Sequence, residues 1–246
     1  MRRLALVLGC WLLMTTSAFA QASRNFDGTN DEIDFGNVLN VTTGNASVCA
    51  WWKGTETAAG DFILGKKANV TDATAGYAMT QQSTDVTRWR IGDGTTGMSS
   101  AGVTDTDGAW FFLCGTWDGT GNVDVLYEQG VQVDTDNTAM GSLTNASNLQ
   151  MGEDNSDTTD ANGLMAYGMV YGTSILTVAE INELLWLPER IPTNIATGAK
   201  GGLWPLWGSA SPEQDLSGNA RTGTVSGTAG TSQDGPPVSF GEMLPI

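Results

Sequence analysis

The stretch Asp31-Glu32-Ile33-Asp34-Phe35-Gly36-Asn37 places Glu32 and Asp34 two residues apart in a short alternating run. On a strand, successive side chains point to opposite faces, so the two carboxylates share one face and Ile33 and Phe35 the other. Paired carboxyl groups are the raw material of glycoside hydrolysis: a retaining enzyme holds a nucleophile and an acid/base about 5 Å apart. A third carboxylate on that face would stand at position 36, which is Gly36, and Asn37 beyond it is an amide and no general acid. The stretch therefore reads as an opening strand with Ile33 and Phe35 in the core and Glu32 and Asp34 toward solvent. It assigns no catalytic residue, and the chain reads as a non-enzyme.

A second acidic cluster, Gly152 to Asp160, suits another chemistry. Calcium takes six to eight oxygens from carboxylates, amides and carbonyls. Asp154, Asn155, Asp157 and Asp160 offer several within one loop, and Asp72 is a weaker candidate from a neighbouring one. A solvated acidic loop is the competing reading, because the chain carries 27 acidic against 11 basic side chains, a net charge of −16. Such a surface keeps a protein in solution and excludes bulk attraction to nucleic acid or anionic lipid. There is no histidine, which removes Ser-His triads, histidine bases and ordinary zinc sites. Exposed aromatic rings could stack on sugars. Trp51, Trp110 and Trp117 lie in apolar strands and read as core, whereas Trp52 and Trp89 stay open.

The elements that would position these residues follow a leader. Residues 1–20 read as a secretory signal peptide: Arg2 and Arg3, an apolar run from Leu4 to Met14, then Ser17-Ala18-Phe19-Ala20 as a cleavage site before Gln21. The mature protein is then secreted, periplasmic or at the cell surface, and two charges more acidic. Cys10 leaves with the leader. Cys49 and Cys114 remain in an oxidising compartment, as a disulfide or as two separate buried thiols.

The rest consists of short apolar bursts separated by Gly, Thr, Asn and Asp, the look of a sandwich or barrel. Asp118-Gly119-Thr120-Gly121 between two bursts signals a hairpin. One helix is expected. Thr177-Val178-Ala179-Glu180 is a capping box, Ile181, Leu184 and Leu185 form an apolar stripe, and Pro188 ends it. Residues 21–229 form one domain, with extra strands within 202–226, and 230–246 is a loosely held tail.

In order and spacing these motifs resemble the concanavalin A-like lectin/glucanase superfamily, and within it a laminin G-like domain. Phe26-Asp27-Gly28-Thr29-Asn30-Asp31 into Ile33-Asp34-Phe35 is similar to its opening strand, and Val48-Cys49-Ala50-Trp51-Trp52-Lys53 to its second landmark strand. Gly115-Thr116-Trp117-Asp118-Gly119 with Val125-Leu126-Tyr127 and Gly130 is similar to its central hairpin. Leu149-Gln150-Met151-Gly152, Gly163-Leu164-Met165 and Glu180-Ile181 match its closing strands and short helix. The resemblance covers residues 25–187. Trp204-Pro205-Leu206 and Asp215 to Asn219 look like a strand and turn that many such domains carry before their opening motif.

This resemblance implies an all-β, concanavalin A-like jelly-roll sandwich of two antiparallel sheets with one short helix near its C-terminal part. In pentraxins, which share the fold, a disulfide joins the strands equivalent to those of Cys49 and Cys114, so the resemblance implies that bridge here. The pentraxin loop after the equivalent Leu-Gly step carries calcium ligands, close to Asp154, Asn155 and Asp157, and Asp160 is a further acid of that loop. The implied function is a secreted, non-catalytic module for extracellular glycan or a surface protein, assisted by Ca2+. The alternative is a structural or adhesive surface component without sugar binding; a carboxylate glycoside hydrolase ranks third. The sequence assigns no ligand-binding residue and no oligomeric state.

Overall fold

The computed structural model describes residues 22–42, 44–54, 60–82, 86–104, 108–189, 201–209 and 211–238. The expected signal peptide and the tail beyond residue 238 lie outside them. Period-two alternation of apolar and polar residues favours strands, and the described residues hold fifteen of them. The strands are β1 (Ser23–Asp27), β2 (Glu32–Asp34), β3 (Ala46–Gly54), β4 (Asp61–Lys67), β5 (Gly76–Gln81), β6 (Val86–Gly92), β7 (Gly97–Thr104) and β8 (Phe111–Asp118). They continue with β9 (Val123–Glu128), β10 (Val131–Asn137), β11 (Gln150–Met151) and β12 (Asn162–Tyr171). Helix α1 (Val178–Trp186) precedes β13 (Gly201–Trp204), β14 (Thr224–Ser226) and β15 (Gly230–Ser232).

All ladders are antiparallel. The first sheet has the order β10-β9-β8-β3-β12-β1-β15, with β13 also paired to β12. The second has the order β14-β2-β11-β4-β5-β6-β7. Together they form the expected concanavalin A-like jelly-roll sandwich. Among the described residues no helix is long and apolar enough to cross a membrane.

The main core lies between the sheets. Val48, Ala50, Trp52, Leu113 and Met165 of the first sheet meet Ile33, Leu64, Met79, Trp89 and Ile91 of the second. Two indoles span the gap. Trp89 lies on Gly115 of the opposite sheet, where any Cβ would collide with the ring, and its Nε1 donates to Thr116 O at 3.1 Å. Trp52 Nε1 donates to Gln81 Oε1 at 2.6 Å. Trp51, Trp52, Trp89 and Trp117 are therefore all buried, and Trp110 is partly buried beside the second cluster.

That second cluster covers the outer face of the first sheet. Cys49, Trp51, Phe112, Cys114 and Tyr127 pack there with Ile181, Leu184 and Leu185 of α1. The helix begins at the capping box: Glu180 N donates to Thr177 Oγ1 and Thr177 N donates to Glu180 Oε2. Cys49 and Cys114 stand opposite each other on β3 and β8 and are disulfide-bonded, 65 residues apart in sequence.

Late segments close the early edges. β15 pairs with β1 and β14 with β2, while Trp204 packs its ring on Phe35 at 4.2 Å between centroids. Residues 230–238, loose by composition alone, are instead tied down. Ser23 Oγ donates to Asp234 O at 2.6 Å, and Lys53 pairs with the Asp234 carboxylate. The physical reason is the edge of β1, whose backbone groups need partners that the Gly- and Ser-rich composition does not reveal.

Candidate functional site

The outer face of the second sheet is built from register. One row of paired residues runs Asp34, Gln150, Gly65, Ala78, Arg90, Ser99 across β2, β11, β4, β5, β6 and β7. Two residues along, on the same face, Thr80 pairs with Arg88. Two residues the other way, Lys67, Gly76, Gly92 and Gly97 form a third row. The rows between hold Leu64, Met79, Trp89, Tyr77 and Ile91, which point into the core. Strand alternation thus divides Arg88-Trp89-Arg90 into two outward cations around one inward indole.

The glycine row admits the β4–β5 loop. A Cβ on Gly92 or Gly97 would strike the backbone of Asp72 and Ala73, so the loop lies down on the sheet and brings Asp72 to the cations. Arg90 Nη1 pairs with the Asp72 carboxylate, Lys67 Nζ donates to Asp72 O at 2.9 Å, and Arg90 Nε donates to Thr80 Oγ1 at 2.9 Å. Arg88 Nη1 donates to Ser99 Oγ at 3.2 Å, while its buried Nε has no partner. Burial lowers the Lys67 ammonium to about 7, with Asp72 opposing and Arg90 assisting the shift. Burial also lowers the Arg90 guanidinium, against the pull of Asp72.

Across Gly65 and Ala78 the character reverses. Gln150 Nε2 donates to Glu32 Oε2, and Gln150 Oε1 is buried with no partner. Asn148 Nδ2 donates to Asp34 Oδ2 at 2.9 Å. Glu153 nearby is raised to about 7, first by burial and then by Asp160, Asp157 and Glu32. Glu32 and Asp34 are half-buried beside buried Ile33. The face therefore has a cationic flank on β4 and β6 and an acidic flank on β2.

The four calcium candidates differ in setting. Asp154 is fully buried, and its Oδ1 accepts from the amides and hydroxyls of Ser156 and Thr158. Asn155 pins the loop to its neighbours: Oδ1 accepts from Asn148 N, and Nδ2 donates to Lys67 O and Asn148 O. Asp157 is exposed with φ of 52°, and Asp160 Oδ1 accepts from Asn30 N at 3.2 Å. Asp72 faces Arg90 and Lys67 instead of this loop. Among the described residues, no three or more His, Cys, Asp or Glu side chains are grouped so that they could hold a metal ion.

Sequence reasoning missed Lys67, Arg88, Arg90 and Gln150. The available signal was the Arg88-Trp89-Arg90 alternation in a chain with few cations. It also missed the exposed indoles, Trp186 at 58% and Trp207 at 40% exposure.

A family model described as the concanavalin A-like lectin/glucanases superfamily matches residues 27–182, more than half of the chain. No curated protein matches it. A similar solved structure is a candidate carbohydrate binding protein from Bacteroides ovatus: 13% identity, TM-score 0.69, covering 89% of this chain and 62% of that one. The chain thus spans less than two thirds of that protein. A heptameric SAP-like pentraxin from Limulus polyphemus has 14% identity and TM-score 0.52 over 68% of this chain and 82% of its own. The CBM40 of the Ruminococcus gnavus IT-sialidase, bound to α2,3-sialyllactose, has 8% identity and TM-score 0.52 over 68% and 98%. At these identities the likeness is one of fold.

Proposed function

Because the chain belongs to the concanavalin A-like lectin/glucanases superfamily, we propose that it is a glycan-binding module working outside the cell. The observation that carries this reading is the fold itself: the family model matches residues 27–182, and the sandwich is shared, over 89% of this chain, with a candidate carbohydrate binding protein from Bacteroides ovatus. The proposed role is non-catalytic, a reading supported by Gly36 standing where a further carboxyl would be needed and by the hydrogen bond from Gln150 to Glu32.

The test is a glycan array probed with the protein lacking residues 1–20, once with calcium and once with EDTA. Saccharide-dependent binding is expected. Loss of that binding in EDTA would assign it a calcium requirement and return attention to Asp154, Asn155, Asp157 and Asp160. Silence in both buffers would overturn the reading.

A structural or adhesive role is the second reading. Val178 and Trp186, eight residues apart on α1 and so on one side of it, are 51% and 58% exposed. Light scattering would show self-association if that side pairs with another copy.

A further inference from the structure

Resting on the glycan-binding reading, we propose that Trp207 and Glu189, mounted on Tyr167 at the outer side of the first sheet, form a subsite for a neutral sugar. The indole stacks on the sugar ring, and the carboxylate accepts from its hydroxyls.

Strand alternation breaks at Tyr167. On β12, Met165 points into the main core and Ala166 into the outer cluster, so regular alternation would send Tyr167 inward. Instead Ala166 pairs with Trp51 and Met169 with Cys49, which leaves Tyr167 and Gly168 together opposite Ala50. Gly168 takes the inward place, where a Cβ would strike Met151, and Tyr167 joins Ala166 in the outer cluster. A bulge of this kind re-aims a side chain. Tyr167 adopts φ of 51°, which bulky residues rarely do. Leu206, just past β13, has φ of 61°, and Tyr167 N donates to the carbonyl of Pro205 before it at 3.3 Å. Two left-handed non-glycine residues thus lie on adjoining segments. Backbone held in such sparsely populated regions clusters at ligand sites.

The bulge provides a mounting for Trp207. The rings of Tyr167 and Trp207 are 6.1 Å apart and nearly perpendicular, at 83°. Trp207 hydrogen-bonds the Tyr167 hydroxyl, so the indole meets that hydroxyl with its N–H edge and not with a face. Trp207 keeps 40% exposure although Leu206 beside it is fully buried. A fixed indole offers a large contact area at low entropic cost.

The same hydroxyl donates to the Glu189 carboxylate. Glu189 lies three residues beyond the end of α1 and is exposed. One buried tyrosine therefore ties an apolar plate to a charged acceptor, and both reach solvent. A pyranose has the matching pair of surfaces, a C–H face for the ring and hydroxyls for the carboxylate. Charge selects a neutral sugar. The chain carries a net charge of −16, and α1 adds Glu180 and Glu183 with no basic residue in its last turn. An anionic sugar would be repelled.

Isothermal titration of the protein lacking residues 1–20 tests this. The probes are lactose, cellotetraose and laminaritetraose, with sialyllactose as the anionic counterpart of lactose. At least one neutral probe should bind. Trp207→Ala should weaken that binding about tenfold or more, and Glu189→Gln about fivefold. Thermal melts confirm that each variant is folded; if Trp207→Ala is not, Glu189→Gln still reads the subsite. Tyr167 is a positioning residue. Tyr167→Phe keeps the buried ring but removes the hydroxyl that holds the Glu189 carboxyl down, so the acid limit of binding should move to higher pH. An unmoved limit would show that the hydroxyl does not act through Glu189 and would overturn the mounting. Full binding by folded Trp207→Ala and Glu189→Gln, or tighter binding of sialyllactose than of lactose, overturns the subsite. Silence of all three neutral probes does so too. If glycans still bind on the array, the glycan reading survives; silence on the array as well sinks both.

Discussion

Two carboxyl groups should dominate the response of this protein to mild acid. Burial raises Glu153 to about 7, with Asp160, Asp157 and Glu32 adding repulsion. Burial also raises Asp124 to about 6, against the bonds it accepts from Ser100 Oγ and the Asp136 amide. Each value lies above that of the unfolded chain, so the folded state holds these protons more tightly. The stability gained is fully present below the ordinary carboxylate range and is lost as pH rises through 6 to 7. Melting temperature should therefore fall between about pH 5 and pH 7. Glu153→Gln and Asp124→Asn should each flatten the fall, and a wild-type profile already flat would refute both assignments. Residues of this kind are only half legible in the sequence. Asp154 is legible as an acid of a loop, but not that its Oδ1 accepts from the amides of Ser156 and Thr158. Arg90 looks like an ordinary strand cation until pairing puts Gln150 in its row.

Elements were more legible than residues. Alternation marks the strands, and the capping box fixes where α1 begins, because both signals lie within a few neighbouring residues. Thr177→Ala removes the hydroxyl that accepts from the Glu180 amide and should cost about 1 kcal/mol. A melting point roughly 2–4 °C lower would show it, and no change would mean that packing on the first sheet alone holds the helix. Cys49 and Cys114 join β3 to β8 beneath the same cluster. Replacing both with Ser opens a loop of 65 residues, for which the chain-entropy model gives about 4 kcal/mol. Urea unfolding measures this, and an unchanged midpoint would leave the bridge without a role in stability. The three-residue strands β14 and β15 were harder to read, since their strand character comes from distant partners and not from local pattern.

For the molecule as a whole, the joining of early to late segments is the governing feature. Arg24 of β1 and Glu213 form a buried ion pair at 2.6 Å, and Arg24 Nη1 donates to Ala229 O across 205 residues of sequence. Glu213→Ala removes the carboxylate from a buried guanidinium and should cost about 3–5 kcal/mol in denaturant unfolding; a loss below about 1 kcal/mol would show that the other bonds of Arg24 compensate its charge. The same joining sets a schedule for assembly. β1 and β2 leave the ribosome early, yet β15 and β14, their last neighbours, emerge some two hundred residues later. During that interval the two strands present open hydrogen-bonding edges, the kind that recruit strands from other chains. A nascent chain stalled before residue 224 would therefore be a sticky intermediate, and the cell has reason to keep it unfolded until synthesis is complete.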